Sequence, residues 1–186
     1  SVYVGDDEKL KDIVQKYFKE KTAEDVVKDY RKSCYYKSIS VSDLLRVDYS
    51  DSQLLNEALE CTPNNTVSRR EIWKDNPQIV LPNGLLNPAV DVVRTITTKQ
   101  DRNPNSGNLY FDCGIEGRAK FRYLTPRECF LFMGFTDEDY DNVIKNNPET
   151  RKNSKLFPRD KLIRMAGNSI PVKLLEGVFY QVKCLE

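Results

Sequence analysis

Apolar side chains recur at helical spacing towards both ends of the chain and gather into short β-branched runs in its middle. Leu10, Ile13, Val14, Tyr17 and Phe18 fall on one face of a helix over residues 7–21. Val26, Val27 and Tyr30 outline a second short helix, and Ser42-Asp43 before Leu44 and Leu45 a third. Ser50-Asp51-Ser52 ahead of Leu54, Leu55, Ala58 and Leu59 is a stronger start, because an N-cap oxygen accepts from a first-turn amide. Thr62-Pro63-Asn64-Asn65 closes that helix.

From residue 66 to 120 the helical period fades. Gln78 to Leu81, Val90 to Thr98 (VDVVRTITT), Leu109 to Cys113 and Lys120 to Tyr123 read as strands, the second being the densest β-branched run in the chain. Pro82-Asn83-Gly84 and the polar stretch KQDRNPNSGN separate them. Ser68 to Lys74 (SRREIWK) reads two ways: basic groups for phosphates beside an aromatic, or a surface helix with Trp73 buried. SVYVG at residues 1–5 reads as the tail of a strand, so the chain is expected to be a piece of something longer.

Arg122 to Phe135 (RYLTPRECFLFMGF) carries the clearest local signal. Thr125 suits an N-cap, Pro126 the first helical position, and Glu128 the third residue of a capping box. Phe130, Leu131, Met133 and Phe135 supply the apolar back, and Gly134 ends the turn. Thr136-Asp137-Glu138-Asp139 starts another helix, and residues 145–155 form a polar loop. Leu156 to Met165 leads into Ala166-Gly167-Asn168-Ser169-Ile170-Pro171. A last helix follows from about Pro171 to Val182, with Leu174, Leu175, Val178, Phe179 and Val182 on its apolar face.

Composition narrows the chemistry. The 186 residues contain no histidine, which excludes Ser-His-Asp and Cys-His catalysis and His-based metal sites within this chain. Five cysteines without a CxxC pair argue against a disulfide framework or zinc site and for a reducing cytoplasm. No apolar run approaches the ~20 residues needed to span a bilayer. A net charge of +1 hides segregation: residues 94–127 hold seven basic residues against three acids, and 151–164 hold six against Asp160 alone. That pattern reads as a local anion-binding face or as a solvated charged surface.

LTPREC with a Gly-Phe pair close behind, then AGNSIPV before a terminal amphipathic helix, resembles the ninth and tenth conserved motifs that end DNA (cytosine-5) methyltransferases. RTITTKQDRN at 94–103 looks like the pattern those enzymes carry in the target recognition domain just before the ninth motif. The match covers about residues 94–183. The resemblance implies an α+β fold: a small antiparallel β recognition domain flanked by helices. Its C-terminal helix would pack on a Rossmann-like catalytic domain that the chain lacks. It implies three parts. Residues 1–20 are the end of a catalytic-domain strand and a connecting helix, 21–117 the target recognition domain, and 118–186 the region of the ninth and tenth motifs.

The family's Gly-rich loop for S-adenosylmethionine, its Pro-Cys nucleophile, its Glu-Asn-Val motif and its Gln-x-Arg-x-Arg motif are not found. The chain is therefore expected to be the C-terminal part of such an enzyme, an excised fragment or a subunit of a split one, inactive alone. Expected partners are double-stranded DNA and the catalytic domain or subunit of the same methyltransferase, with no membrane and no metal. The setting implied is the cytoplasm of a bacterium with a restriction-modification system. An alternative is a non-catalytic DNA-binding specificity module; a third is an interaction domain that no longer binds DNA.

The resemblance also proposes residues. Asn168 and Ser169 would contact S-adenosylmethionine, its site being only partly present here; Asn168-Ser169 could instead cap the last helix. Met165 departs from the Gln common before Ala-Gly. Thr95 and Ile96 would line the space around the flipped base. Lys99, Gln100, Arg102 and Asn103 would read base edges, since Arg suits guanine and Gln or Asn suits adenine. Arg122 and Arg127 would organise the junction with the catalytic core or contact phosphate, Arg127 pairing with Glu128 or with a core carboxylate. Cys129 lies in the ninth motif on an apolar stretch and reads as a structural thiol.

Overall fold

Local capping chemistry sets most helix boundaries. In a computed structural model that describes residues 7–34, 36–90, 92–100, 102–150 and 154–183, the first helices are α1 (Asp7–Glu20), α2 (Ala23–Lys32) and α3 (Val41–Leu44). Then come α4 (Ser52–Glu60), α5 (Val67–Asp75) and strand β1 (Gln78–Val80). After β2 (Asn108–Tyr110) and β3 (Phe121–Tyr123) follow α6 (Pro126–Phe132), α7 (Asp137–Lys145), α8 (Arg159–Asn168) and α9 (Val172–Lys183). Complete capping boxes start α2, α3, α6 and α7, at Thr22, Ser40, Thr125 and Thr136. For α3 the cap is two residues upstream of the expected Ser42. Asp51 caps α4 through the amides of Gln53 and Leu54. The strand expected at residues 1–5 lies outside the described residues.

Gly134 does what its position implies. Its φ of 88° reverses the chain after α6. The Gly134 amide donates to Leu131 O at 2.9 Å and the Phe135 amide to Phe130 O at 3.1 Å, the paired bonds of a Schellman stop. The Phe130 and Phe135 rings meet at 5.5 Å and cover it.

Contact density separates two units, residues 1–38 with 172–186 and residues 39–171. In the first, α2 and α9 meet through Tyr30. Its hydroxyl donates to Glu176, its ring lies about 5.9 Å from that of Tyr180, and a Cβ on Gly177 would touch its edge.

The second unit holds a three-stranded sheet in the order β1-β2-β3. The fold is α+β, as expected, but the sheet is mixed: β1 and β2 run parallel, β2 and β3 antiparallel. A parallel pair needs a long crossover, and residues 81–107 provide it. Gly107 makes the entry to β2 possible. Its φ is 128°, and a Cβ there would stand 2.6 Å from Ile79 Cγ1. Ile79, Leu109, Leu124, Cys129, Phe130, Leu162 and Ile163 form the core between sheet and helices. Trp73 of α5 stacks on Phe121 at 5.0 Å, so SRREIWK is a helix with a half-buried Trp.

The strand expected over Val90 to Thr98 is not formed among its described residues. Ile96 alone is buried, at 6%, while Val92 is 73% exposed. At Thr97 and Thr98 the segment packs against Gly167 of helix α8, and among the described residues its β propensity finds no ladder to join. Conversely α8 was expected only as a lead-in. Its N-cap, Pro158, makes no side-chain capping bond and offered no start signal.

Candidate functional site

The β3–α6 junction is held by one buried ion pair. Arg122 Nη1 and Nη2 donate to Glu128 Oε2 and Oε1 at 2.7 and 2.8 Å, and both side chains are fully buried. The same carboxylate accepts from the Thr125 amide at 2.8 Å and the Arg46 amide at 2.9 Å. The capping-box glutamate thus neutralises an arginine, starts a helix and fastens a distant segment. Burial disfavours the Arg122 charge, but Glu128 more than offsets it, and the guanidinium pKa is raised.

Arg127 is likewise enclosed. It donates to Glu57 at 2.9–3.1 Å, to Asp137 at 3.1 Å and to Asp141 at 2.7 Å, with its guanidinium 4.6 Å from the Tyr140 ring centroid. Its partner is therefore not Glu128. Direct DNA contact by Arg122 or Arg127 is corrected: one is fully buried, the other 3% exposed, and their donors are taken by carboxylates and, for Arg122, also by the Tyr49 hydroxyl and the Tyr123 and Arg46 carbonyls. Both are structural.

Next to this junction, Thr95, Ile96, Phe132, Met133, Gly167 and Ser169 line a cleft of about 310 Å³. Thr95 is exposed there, while Ile96 is part of the wall and the core. One of its lining residues, Gly167 within α8, abuts the 97–98 peptide: a Cβ would stand 2.7 Å from Thr97 C and from Thr98 N. The small pair Ala166-Gly167 was the available signal of this approach.

In the proposed reading loop, Lys99, Arg102 and Asn103 are exposed. The backbone turns there, with the Arg102 and Asn103 amides both donating to Lys99 O. Gln100 is a correction. It has no exposed surface, and its Oε1 accepts from Ser106 Oγ at 2.8 Å, so it cannot reach a base edge in this conformation.

Asn168 and Ser169 end α8. Ser169 is the C-cap, its hydroxyl donating to Ala166 O at 2.7 Å and keeping its lone pairs. Asn168 is exposed. Between them they offer amide and hydroxyl oxygens that could accept from an ammonium group, and one amide donor, so their chemistry fits the amino acid end of S-adenosylmethionine.

Cys61 and Cys129 are buried; burial pushes the Cys61 thiol up to about 12 and raises that of Cys129 well above its ordinary value. Neither is a thiolate at neutral pH. Among the described residues no His, Cys, Asp and Glu group is placed to hold a metal ion, and no helix is long and apolar enough to cross a membrane.

A family model described as C-5 cytosine-specific DNA methylase matches residues 3–184. The Type II methyltransferase M2.ScrFI of Lactococcus lactis subsp. cremoris is 29% identical over 145 residues, 78% of this chain and 34% of that protein. The chain thus spans about a third of the length of that relative. With a match that runs through the cleft, the capped α6 junction and the Asn-Ser terminus of α8, the chain belongs to the C-5 cytosine-specific DNA methylase family.

Proposed function

We propose that this chain is the target-recognition and cofactor-closing part of an S-adenosylmethionine-dependent DNA cytosine-5 methyltransferase. In this reading residues 21–117 select the duplex sequence, residues 118–186 complete the donor site, and residues 1–20 join them to a catalytic part. The observation that carries it is the cleft in which Thr95 and Ile96 meet Gly167 and Ser169. It brings the segment assigned to the flipped base beside the segment assigned to the methyl donor. Methyl transfer to a base requires those two ligands to be neighbours.

The reaction needs a thiolate at cytosine C6 so that C5 can take a methyl group. S-adenosylmethionine supplies that group. The resemblance puts the nucleophile in a Pro-Cys pair, which this sequence lacks, so in this reading the catalytic part supplies it; Cys61 and Cys129 are buried neutral thiols. Within this chain Thr95 and Ile96 shape the wall beside the base. Lys99, Arg102 and Asn103 face the duplex. Asn168 and Ser169 accept from the donor's ammonium group. Leu174, Val178, Phe179 and Val182, all about half exposed or more, provide the face of α9 that packs on the catalytic part. The relative's description as a Type II methyltransferase of Lactococcus lactis supports a bacterial restriction-modification setting.

The test is a swap. Residues 60–117 are replaced by those of a relative with a different target, in the enzyme assembled with its catalytic part, and methylated cytosines are mapped. The methylated site is expected to change to the donor's. An unchanged pattern would remove the recognition assignment.

A further inference from the structure

A second concave site lies in the 39–171 unit, away from the residues assigned above. Glu60, Thr62, Asn64, Arg69, Arg118 and Arg159 are among the residues lining a pocket of about 330 Å³. Three arginines from separate segments converge on it: Arg69 from α5, Arg118 from the loop before β3, and Arg159 from the first turn of α8. Its walls are tied together by the backbone. Asn65 N donates to Gly117 O, Ala119 N donates to Pro63 O, and Asn64 bridges Arg118.

The hydrogen-bond partners of Arg118 and Arg159 distinguish them from the junction arginines. Arg122 and Arg127 are neutralised by carboxylates. Arg118 instead donates to the Thr62 carbonyl at 2.6 Å, and Arg159 to the Glu60 carbonyl. Arg69 donates to the Tyr123 hydroxyl at 2.7 Å. For Arg118 and Arg159 a neutral acceptor orients the guanidinium without cancelling its charge, and each guanidinium has five N–H donors. Glu60 is the one acid among the described lining residues, so positive charge predominates there. Thr66, the N-cap of α5, also borders the pocket, and the helix dipole there adds to the attraction for an anion.

We infer that this pocket binds one phosphate group through Arg118 and Arg159. Planar guanidinium donors oriented by neutral oxygens match phosphate oxygens. The phosphate is the phosphodiester of bound duplex, or a free phosphate of the same chemistry. Assigning it to DNA rests on the recognition function proposed above; the pocket itself does not.

The test compares wild type with Arg118→Gln/Arg159→Gln in two assays: duplex DNA binding across a salt series, and inorganic phosphate binding by calorimetry. If the pocket holds a backbone phosphodiester, DNA affinity falls for all sequences alike. The slope of log affinity against log salt then shrinks by about 0.9 for the phosphate lost. If it holds free phosphate, wild type binds phosphate saturably, the variant does not, and DNA binding is unchanged. Wild type that binds no DNA but does bind phosphate would overturn the recognition function and leave the pocket standing. Unchanged behaviour of the double variant in both assays overturns the pocket. Asn64→Asp places a carboxylate at the rim without removing an arginine bond, and is expected to weaken the same ligand. Arg118→Lys/Arg159→Lys is expected to recover part of it. An equal loss in a Lys145→Gln control, a surface charge outside the pocket, would also overturn the assignment.

Discussion

Gly167 and Thr97 are in backbone contact across α8: a Cβ on Gly167 would stand 2.7 Å from the Thr97 carbonyl carbon and 3.0 Å from its oxygen. The obstacle is peptide backbone, which cannot rotate away. Ala is ordinarily better than Gly within a helix by about 1 kcal/mol. Here overpacking costs about 1–3 kcal/mol and opposes that gain. Gly167→Ala is therefore expected to lower stability in urea unfolding and to distort the cleft. A stabilised variant would show that α8 and the 97–98 segment do not meet so closely.

Glu128→Ala leaves Arg122 buried and unpaired, and also frees the Thr125 and Arg46 amides. Breaking one side of such a pair costs about 3–5 kcal/mol. Denaturant midpoints should show a loss of that size. Arg122→Met combined with Glu128→Leu should lose less than Glu128→Ala, because no lone charge remains buried. If the double variant is the less stable of the two, the pair contributes more than mutual neutralisation.

Asp137 links acid stability to this junction. The Arg46 hydrogen bond, aided by Arg127 and against burial, holds its carboxyl below the ordinary value of 3.8. A carboxyl depressed on folding stabilises the native state above its unfolded pKa, and that contribution is lost as pH falls through the folded one. Wild type should exceed Asp137→Asn in stability near pH 7, and the two should converge as the medium becomes more acidic than the folded pKa. Melting temperatures across pH 2–7 measure this; a gap that widens on acidification would refute it. Asp137 is partly exposed, so the effect is modest.

Thiol reactivity reports the packing directly. Cys34 is exposed, whereas Cys61 and Cys129 are buried with raised pKa values. In native protein at neutral pH a disulfide reagent should modify Cys34 rapidly. Cys61 and Cys129 should react only on unfolding, as peptide mapping of the labelled sites would show. Fast native labelling of Cys129 would contradict a core position for α6.

Asn168→Ala in the enzyme assembled with its catalytic part should weaken S-adenosylmethionine binding and leave the methylated sequence unchanged. Calorimetry with the methyl donor measures the first, and cytosine mapping the second. Donor affinity equal to wild type would remove Asn168 from the cofactor site.

Short-range chemistry was legible in the residue string. A Thr three positions before Glu128 is enough to set the start of α6, and Gly134 is enough to stop it, because both devices act within a turn or two. The helical periods of α1, α2, α4 and α9 are equally local. The family motifs at 122–135 and 166–175 were read the same way, and the family match confirms membership. Tertiary structure decided what those residues touch. Arg122 reaches Tyr49, 73 positions away, and Arg127 reaches Glu57, 70 positions away. Those contacts turned two candidate phosphate ligands into structural ones. Gln100 was withdrawn from the reading loop by burial alone, and VDVVRTITT found no ladder to join among the described residues. Propensity and spacing act along a few residues of chain. Charge neutralisation, burial and the choice of a packing neighbour depend on groups far apart in sequence, so they exist only once the chain has folded.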